Sequence, residues 1–238
     1  MTSRPNEAAA TEDFEFAALS EAANYRATLL REFAPHLRGH VLEAGSGIGQ
    51  VTQLLRELPG VQLLAALEPD ARFCARLRSS LPGQRLIRGT VEALSPDFPW
   101  DAILSINVLE HIEADARELG LYHDRLAGRH GVLCLFVPAR PEIYAPVDRD
   151  FGHFRRYTLP ELRSKLEGAG FDLLRLDYFN CVGYLAWWLN FCLLRKRHFE
   201  AAKVRFFDRV IFPVVHAFES RIVRPPIGQS LIAAARAR

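Results

Sequence analysis

The sequence has few cysteines, and they are not paired at any spacing that suggests a shared role. Cys74, Cys134, Cys181 and Cys192 lie far apart in the 238 residues, without a CxxC motif or a His/Cys pair at zinc spacing. Disulfide scaffolds and structural zinc sites are therefore not indicated, and we predict no metal centre. This cysteine usage favours a reduced, cytoplasmic compartment.

The sequence also lacks an excess of charge of one sign. Thirty Lys and Arg residues oppose 28 Asp and Glu residues, giving a net charge of +2, which does not favour a nucleic-acid-binding protein. The charge is unevenly placed, because residues 181–238 carry +7 and residues 1–180 carry −5. The body of the chain is mildly acidic and its end is basic.

Neither a typical signal peptide nor a typical transmembrane segment is present. The first residues are acidic where a signal peptide needs a basic start and an apolar core, so we expect residues 1–17 to form a flexible tail. Residues 178–194 are uncharged, but 17 residues is near the lower limit for crossing a bilayer. Asn180, Gly183 and Asn190 weaken that segment further.

Apolar runs alternate with segments of helical periodicity along most of the chain. Strands are predicted at 40–44, 61–67, 85–88, 100–106, 131–137, 171–177 and 230–235. Helices are predicted at 18–34, 51–58, 71–80, 115–126 and 159–168. Such alternation favours an α/β fold with a doubly wound, mostly parallel sheet of seven strands. We predict one domain, 18–238, with a helical insertion at 181–224 before the last strand.

Three alternate glycines directly follow the first predicted strand. Gly45, Gly47 and Gly49 let the backbone turn tightly and approach a ligand closely. Gln50 stands where a G-x-G-x-x-G motif needs its third glycine, which counts against an NAD-dependent oxidoreductase. Glu68 ends the second strand, where a carboxylate can accept hydrogen bonds from both ribose hydroxyls. The turn and the acid therefore predict a nucleoside ligand.

Five segments in order strengthen this prediction. They are VLEAGSGIGQVT, LAALEPD, GTVEAL, WDAILSINVLEHIEAD and GVLCLFVPA. The series resembles the ordered motifs of class I S-adenosylmethionine-dependent methyltransferases, especially the bacterial small-molecule group, over about residues 24–180. The resemblance implies the Rossmann-like methyltransferase fold, S-adenosylmethionine as the cofactor, and methyl transfer to a small molecule by in-line displacement.

The resemblance also assigns residues to the cofactor. Glu43 and the glycine turn would lie along its methionine part, Glu68 would hold the ribose, and Asn107 would lie near the sulfonium. Pro69 and residues 90–91 would contact the adenine. The residues assigned to the cofactor are Tyr25, Glu43, Gly45, Ser46, Gly47, Glu68, Pro69, Thr90, Val91, Asn107 and Val108.

The segment DRDFGHFRRYT, residues 148–158, resembles a segment of methyltransferases associated with sugar or lipid metabolism. It would lie over the open end of the sheet, where the acceptor binds. A hydroxyl acceptor needs a general base, for which His153 and His111 are the candidates. The alternative for His153 is a hydrogen bond that closes the loop, and the two arginines could equally pair with nearby acids. The residues expected to contact the substrate are Tyr144, Arg155, Arg156, Tyr157 and Trp188.

The insertion at 181–224 combines apolar and basic residues. It could be a lid over an apolar acceptor, a membrane-surface contact, a dimer contact or additional core. Its positive charge favours a lid with peripheral membrane association. The residues expected to line the acceptor pocket are Leu185, Trp188, Leu189, Phe207, Val210, Ile211 and Phe218.

The predicted function is S-adenosylmethionine-dependent methyl transfer to a small, largely apolar or lipid-like acceptor, with oxygen as the target. N- or C-methylation is an alternative, as is a catalytically silent adaptor of the same fold that binds a partner or a membrane. Nucleic acid is not an expected partner, because SINV stands where amino-methylating DNA enzymes carry NPPY. The expected location is the cytoplasm, with contact at the inner face of the membrane. The sequence does not decide whether the chain forms a homodimer.

Overall fold

The computed structural model describes residues 21–196, 200–221 and 225–238. The tail predicted at 1–17 lies outside the described residues, as do the start of the helix predicted at 18–34 and parts of the insertion.

A seven-stranded sheet forms the centre of the molecule. Its strands are β1 Gly39–Ala44, β2 Val61–Glu68, β3 Arg85–Arg88, β4 Ala102–Ile106, β5 Val132–Pro138, β6 Phe171–Phe179 and β7 Ser230–Ala237. The strand order is β3-β2-β1-β4-β5-β7-β6, and β7 runs antiparallel to both of its neighbours. The predicted doubly wound, mostly parallel sheet is confirmed.

Helices cover both faces of this sheet. They are α1 Ala23–Phe33, α2 Gln50–Leu55, α3 Ala71–Ser80, α4 Asp115–Leu126, α5 Pro146–Asp150, α6 Leu159–Gly168, α7 Cys181–Trp187, α8 Ala201–Phe206 and α9 Phe212–Arg221. Alternate strand residues enter different cores: Leu42 packs with residues of α4 and α6, and Val41 packs with residues of α1, α2 and α9. Every residue of β5 is buried, as expected for a central strand covered on both sides.

Local sequence fixes where two of these helices begin. The Asp70 carboxylate accepts a hydrogen bond from the Arg72 amide at the start of α3. The Thr158 hydroxyl accepts one from the Glu161 amide at the start of α6, with Pro160 in the first turn.

The topology places a crevice between β1 and β4. The chain proceeds from β1 through β2 to β3 on one side, and from β4 to β5 on the other, so the strand order reverses between β1 and β4. Loops that follow these two strands diverge and leave an opening at their carboxyl ends. Those loops carry the glycine turn and Asn107.

The insertion is more continuous than its sequence suggests. A proline such as Pro213 ordinarily interrupts a helix, but α8 continues through a π-helical turn, Phe207–Ile211, directly into α9. Proline cannot donate a backbone hydrogen bond, and a wider turn just before it lets the helix continue. Among the described residues, no helix is both long and apolar enough to cross a membrane.

Candidate functional site

A cavity of about 310 Å³ opens at the carboxyl ends of β1, β2 and β4. We call it the first cavity. It brings together nine of the eleven residues assigned to the cofactor, together with His111. Those nine are Tyr25, Glu43, Gly45, Ser46, Gly47, Glu68, Pro69, Asn107 and Val108.

The other two assigned residues lie elsewhere. Thr90 is exposed, and Val91 turns inward at the start of a 3-10 turn and packs into the core. Sequence reasoning also missed several residues of the lining. They include Arg26, Leu29, Gln50, Phe73, Phe136 and Phe151. Phe136 and Phe151 stand inside the quoted segments, but apolar residues there could equally have been core.

The glycine turn needs glycine for steric reasons. Gly45, Gly47 and Gly49 have φ values of +73°, +54° and +87°, in the left-handed region that side chains disfavour. A Cβ atom at Gly45 would also clash with Cγ2 of Val108 on the opposite loop. The bare backbone therefore forms one wall of the first cavity.

Glu68 joins this turn to the end of β2. Its side chain is buried, its Oε2 accepts a hydrogen bond from the Gly47 amide at 2.8 Å, and its Oε1 accepts one from the Asp70 amide at 2.9 Å. A carboxylate oxygen has two lone pairs and can accept more than one hydrogen bond. The carboxylate is thus held in place by the backbone that shapes the cavity.

Glu43 is the second acid of the first cavity. Burial raises its pKa to about 8, against the opposing effect of the hydrogen bond that Thr52 Oγ1 donates to it, and the Glu68 charge raises it further. Its carboxyl group is therefore mostly protonated at pH 7 in the free protein. A cation bound beside it would favour the charged carboxylate.

A second cavity, of about 190 Å³, adjoins the first. The two share Tyr25, Asn107, Phe136 and Phe151, so they meet at the carboxyl end of β4. Asn107 has a φ of +51°, an uncommon conformation for a residue with a side chain. Of the ten other residues that line the second cavity, five are polar, namely His153, Arg156, Asn180, Gln229 and Ser230.

His153 and Asp148 form a buried pair beside the second cavity. His153 Nδ1 lies 3.1 Å from Asp148 Oδ1, while His153 Nε2 is buried without a hydrogen-bond partner among the described residues. Burial alone would raise the pKa of Asp148, but the hydrogen bond with His153 and the charge of Arg156 hold it below its usual value. An ionised Asp148 selects the tautomer that carries hydrogen on Nδ1 and a lone pair on Nε2.

His111 lies on the other side of this pair and also lines the first cavity. Its ring centroid is 4.7 Å from that of His153. Burial, with the nearby His153, lowers the pKa of His111 to about 4, so His111 is neutral at pH 7. Glu110, His111 and His153 each place a potential metal-ligand atom within 4.8 Å of the others.

Arg156 is the only one of the five expected substrate-contact residues that lines the second cavity. Its guanidinium is buried, pairs with Asp148 at 2.8 Å, donates to the Ala139 carbonyl, and lies 4.3 Å from the ring centre of Trp187. Its charge is therefore already neutralised by an acid of its own loop.

The other four residues hold the loop or face outward. Arg155 pairs with Asp115, the buried Tyr157 hydroxyl also lies within hydrogen-bond distance of Asp115, and the Tyr144 hydroxyl donates to the His153 carbonyl. Trp188 is largely exposed, whereas its neighbour Trp187 lines the cavity and donates from Nε1 to the Ile143 carbonyl.

Five of the seven insertion residues expected in the pocket are exposed instead. Leu185, Leu189 and Val210 are exposed, like Trp188 and Phe218, whereas Phe207 lines the second cavity. The expected lining mixed exposed and inward-facing residues, because both faces of the insertion are apolar and periodicity alone does not show which one is buried.

Comparisons with known proteins identify the family of this chain. A family model described as a methyltransferase domain matches residues 18–176, more than half of the chain. No curated protein sequence matches the chain. The chain is similar to the solved structure of an S-adenosylmethionine-dependent methyltransferase from Mesorhizobium loti, at 18% identity and a TM-score of 0.59, over 87% of this chain and 95% of that one.

Two further structures are similar. One is an S-adenosylmethionine-dependent methyltransferase from Archaeoglobus fulgidus, at 17% identity and a TM-score of 0.57, over 90% of this chain and 94% of that one. The other is DhpI in complex with S-adenosylhomocysteine, at 19% identity and a TM-score of 0.55, over 95% of both chains. At these low identities, the structural similarity shows a shared fold only. The match to the family model shows the activity. The chain belongs to the methyltransferase-domain family and is an S-adenosylmethionine-dependent methyltransferase.

Proposed function

We propose that this enzyme methylates an oxygen atom of a small, largely apolar acceptor bound in the second cavity, with His153 as the general base. The observation that carries the proposal is the Asp148–His153 pair: His153 lines the second cavity, and the pair leaves its Nε2 with a lone pair. A hydroxyl group must lose its proton to become a competent nucleophile, and a positioned imidazole can accept it. An amine that is already neutral would not need this base.

The surroundings of His153 support an acceptor with a mainly apolar body. Phe136, Phe151, Trp187 and Phe207 provide aromatic walls, and the charge of Arg156 is already paired with Asp148. An anionic acceptor would therefore compete with Asp148 for the same guanidinium.

The residues assigned to the cofactor hold and orient S-adenosylmethionine. Bound S-adenosylmethionine supplies a methyl group that its sulfonium has already activated. The glycine turn and Glu68 fix the position of that ligand in the first cavity, and Asn107 stands where the two cavities meet. The protein lowers the barrier to methyl transfer by aligning acceptor and donor and by excluding water with the aromatic walls.

The target atom can be tested with three matched aromatic acceptors: a phenol, the aniline of the same skeleton, and the phenol's methyl ether. S-adenosylhomocysteine release and the mass and fragmentation of the product identify the methylated atom. We expect turnover of the phenol, weak or no turnover of the aniline, and none of the ether. Methylation of the aniline or of ring carbon in preference to the phenol oxygen would contradict the proposal.

Glu68→Ala tests the ribose contact. We expect the Kd for S-adenosylhomocysteine, measured by titration calorimetry, to rise by about 5- to 150-fold, or about 1–3 kcal/mol, because charge-assisted hydrogen bonds are lost. Glu68→Gln keeps an acceptor oxygen without the charge and should show a smaller loss. An unchanged Kd in the alanine variant would place the ribose elsewhere.

The raised pKa of Glu43 predicts that a proton is released when the cofactor binds. Because its pKa is about 8 in the free protein, binding of the cationic S-adenosylmethionine at pH 7 should convert Glu43 to the carboxylate and release close to one proton. Titration calorimetry in buffers of different ionisation enthalpy measures that number. Glu43→Gln keeps the shape of the side chain but has no proton to lose, so the same release from that variant would exclude Glu43 as its source.

A further inference from the structure

The insertion concentrates the exposed apolar surface of the molecule. Among the described residues, eleven large apolar side chains are exposed, and nine of them lie between residues 185 and 218. They are Leu185, Trp188, Leu189, Leu193, Leu194, Phe206, Val210, Val214 and Phe218. Single exposed apolar residues are ordinary, but a concentration of this kind marks an interaction surface. We call these nine residues the outer apolar surface.

The outer apolar surface follows the helices. Phe206, Val210, Val214 and Phe218 recur at intervals of four residues and so share one side of the continuous helix formed by α8, the π turn and α9. α7 and the π-helical segment that continues it, Trp188–Leu193, likewise expose apolar side chains at residues 185, 188, 189 and 193. Both helices also bury other apolar residues, such as Phe191 and Phe212, so the outer side is apolar in addition to the core side.

Most of the charged side chains that the described part of the insertion exposes are positive, although Lys203 pairs with Glu200 and Arg205 pairs with Glu21. Of the three acidic residues of the insertion, Asp208 is buried and accepts hydrogen bonds from the Asn24 and Tyr25 amides, and Glu219 is buried and accepts one from the Cys181 amide. Only Glu200 is exposed. The basic residues that are exposed or half-buried in the described part of the insertion are Arg195, Lys196, Lys203, Arg205 and Arg209.

We propose that the outer apolar surface docks this enzyme on the surface of an anionic lipid bilayer. Apolar helix faces that include Trp and Phe enter the boundary between lipid headgroups and acyl chains, and neighbouring Lys and Arg side chains pair with anionic headgroups. A second copy of the chain would bring the same cationic surface against itself, which disfavours a dimer through this face. The occupant that matches both the apolar character and the charge is the bilayer.

Phe206 of the outer apolar surface lines a cavity that adjoins the proposed acceptor site. A third cavity, of about 330 Å³, lies between α7 and α8 and includes Phe206 of the outer apolar surface. It shares Trp187, Val204, Phe207 and Gln229 with the second cavity. Docking would thus give an acceptor with an apolar chain a path from the bilayer towards His153. This last step rests on the proposed function, whereas docking itself does not.

Vesicle co-sedimentation with the full chain tests the docking. The probes are large unilamellar vesicles of phosphatidylcholine alone and of equal parts phosphatidylglycerol and phosphatidylcholine. The double variant Leu189→Glu/Val214→Glu changes the outer apolar surface, and Leu174→Glu is the matched control, because Leu174 on β6 is 43% exposed and Leu189 is 46% exposed. Circular dichroism and the Kd for S-adenosylhomocysteine verify that each variant is folded.

We expect the wild type and Leu174→Glu to sediment with the anionic vesicles, less so at high salt or with phosphatidylcholine alone. The double variant should partition at least about tenfold less, because two apolar side chains no longer enter the lipid. His153→Ala should bind vesicles like the wild type, which separates this result from the fate of the proposed reaction. The proposal is overturned if the wild type stays in the supernatant or if the double variant binds vesicles normally. It is also overturned if the wild type forms a dimer and binds no vesicles, and the double variant abolishes that dimer.

Discussion

His153→Ala is expected to lower turnover by about 10²- to 10⁴-fold, the range that a positioned general base contributes. The Kd for S-adenosylhomocysteine should stay nearly unchanged, because His153 lines the second cavity and is not part of the lining of the first. Steady-state kinetics and titration calorimetry separate the two quantities. The hydroxyl acceptor would still bind, but its proton would have to leave to water.

Further measurements distinguish a base from a structural residue. Added imidazole should partly restore turnover of the variant by occupying the space that the side chain leaves. A fully active His153→Ala would remove His153 as the base. Loss of wild-type turnover to a chelator would instead assign His153, with Glu110 and His111, to a metal.

Asp148→Asn should destabilise the protein by about 3–5 kcal/mol, since it leaves the buried Arg156 charge without a counterion. Three groups depend on this carboxylate: the Arg156 guanidinium, His153 Nδ1 and the Ala145 amide. Urea unfolding measures the loss. The difference from the wild type should shrink at low pH, because the Asp148 pKa lies below its ordinary 3.8 when folded and its stabilising effect is lost as the pH falls through that folded pKa.

Two controls locate the cause of that loss. Glu142→Gln breaks an ion pair with Arg140 in which the acid is about half exposed, so it should cost less than about 1 kcal/mol. Asp148→Asn/Arg156→Met removes both charges and should recover much of the stability. If Asp148→Asn unfolds like the wild type, the buried pair does not hold this loop together.

Much of the fold and of the first cavity could be predicted from sequence, because local patterns determine them. The alternation of strand and helix sets the parallel sheet, and the carboxyl ends of parallel strands meet at one edge, so the glycine turn, Glu68 and Asn107 had to lie close together. The loop after β3 was harder, because nothing in the sequence shows that Val91 turns into the core.

The acceptor side depends on contacts that no local pattern specifies. The pairing of Asp148 with His153 across five residues arises from the turn after α5, not from a helix or strand period. Asp208 caps the start of α1 although 184 residues separate it from Asn24. Trp187 and Trp188 are adjacent in sequence, and only packing against Ile143 distinguishes the buried one.

The central claim is that the first cavity holds the methyl donor between the glycine turn and Glu68. A crystal structure of the protein with S-adenosylhomocysteine tests it most directly. Electron density for the ligand should fill the first cavity, with both ribose hydroxyls on the Glu68 carboxylate and the amino-acid part along Gly45–Gly49. Density in another place, or a ribose that makes no contact with Glu68, would contradict the account.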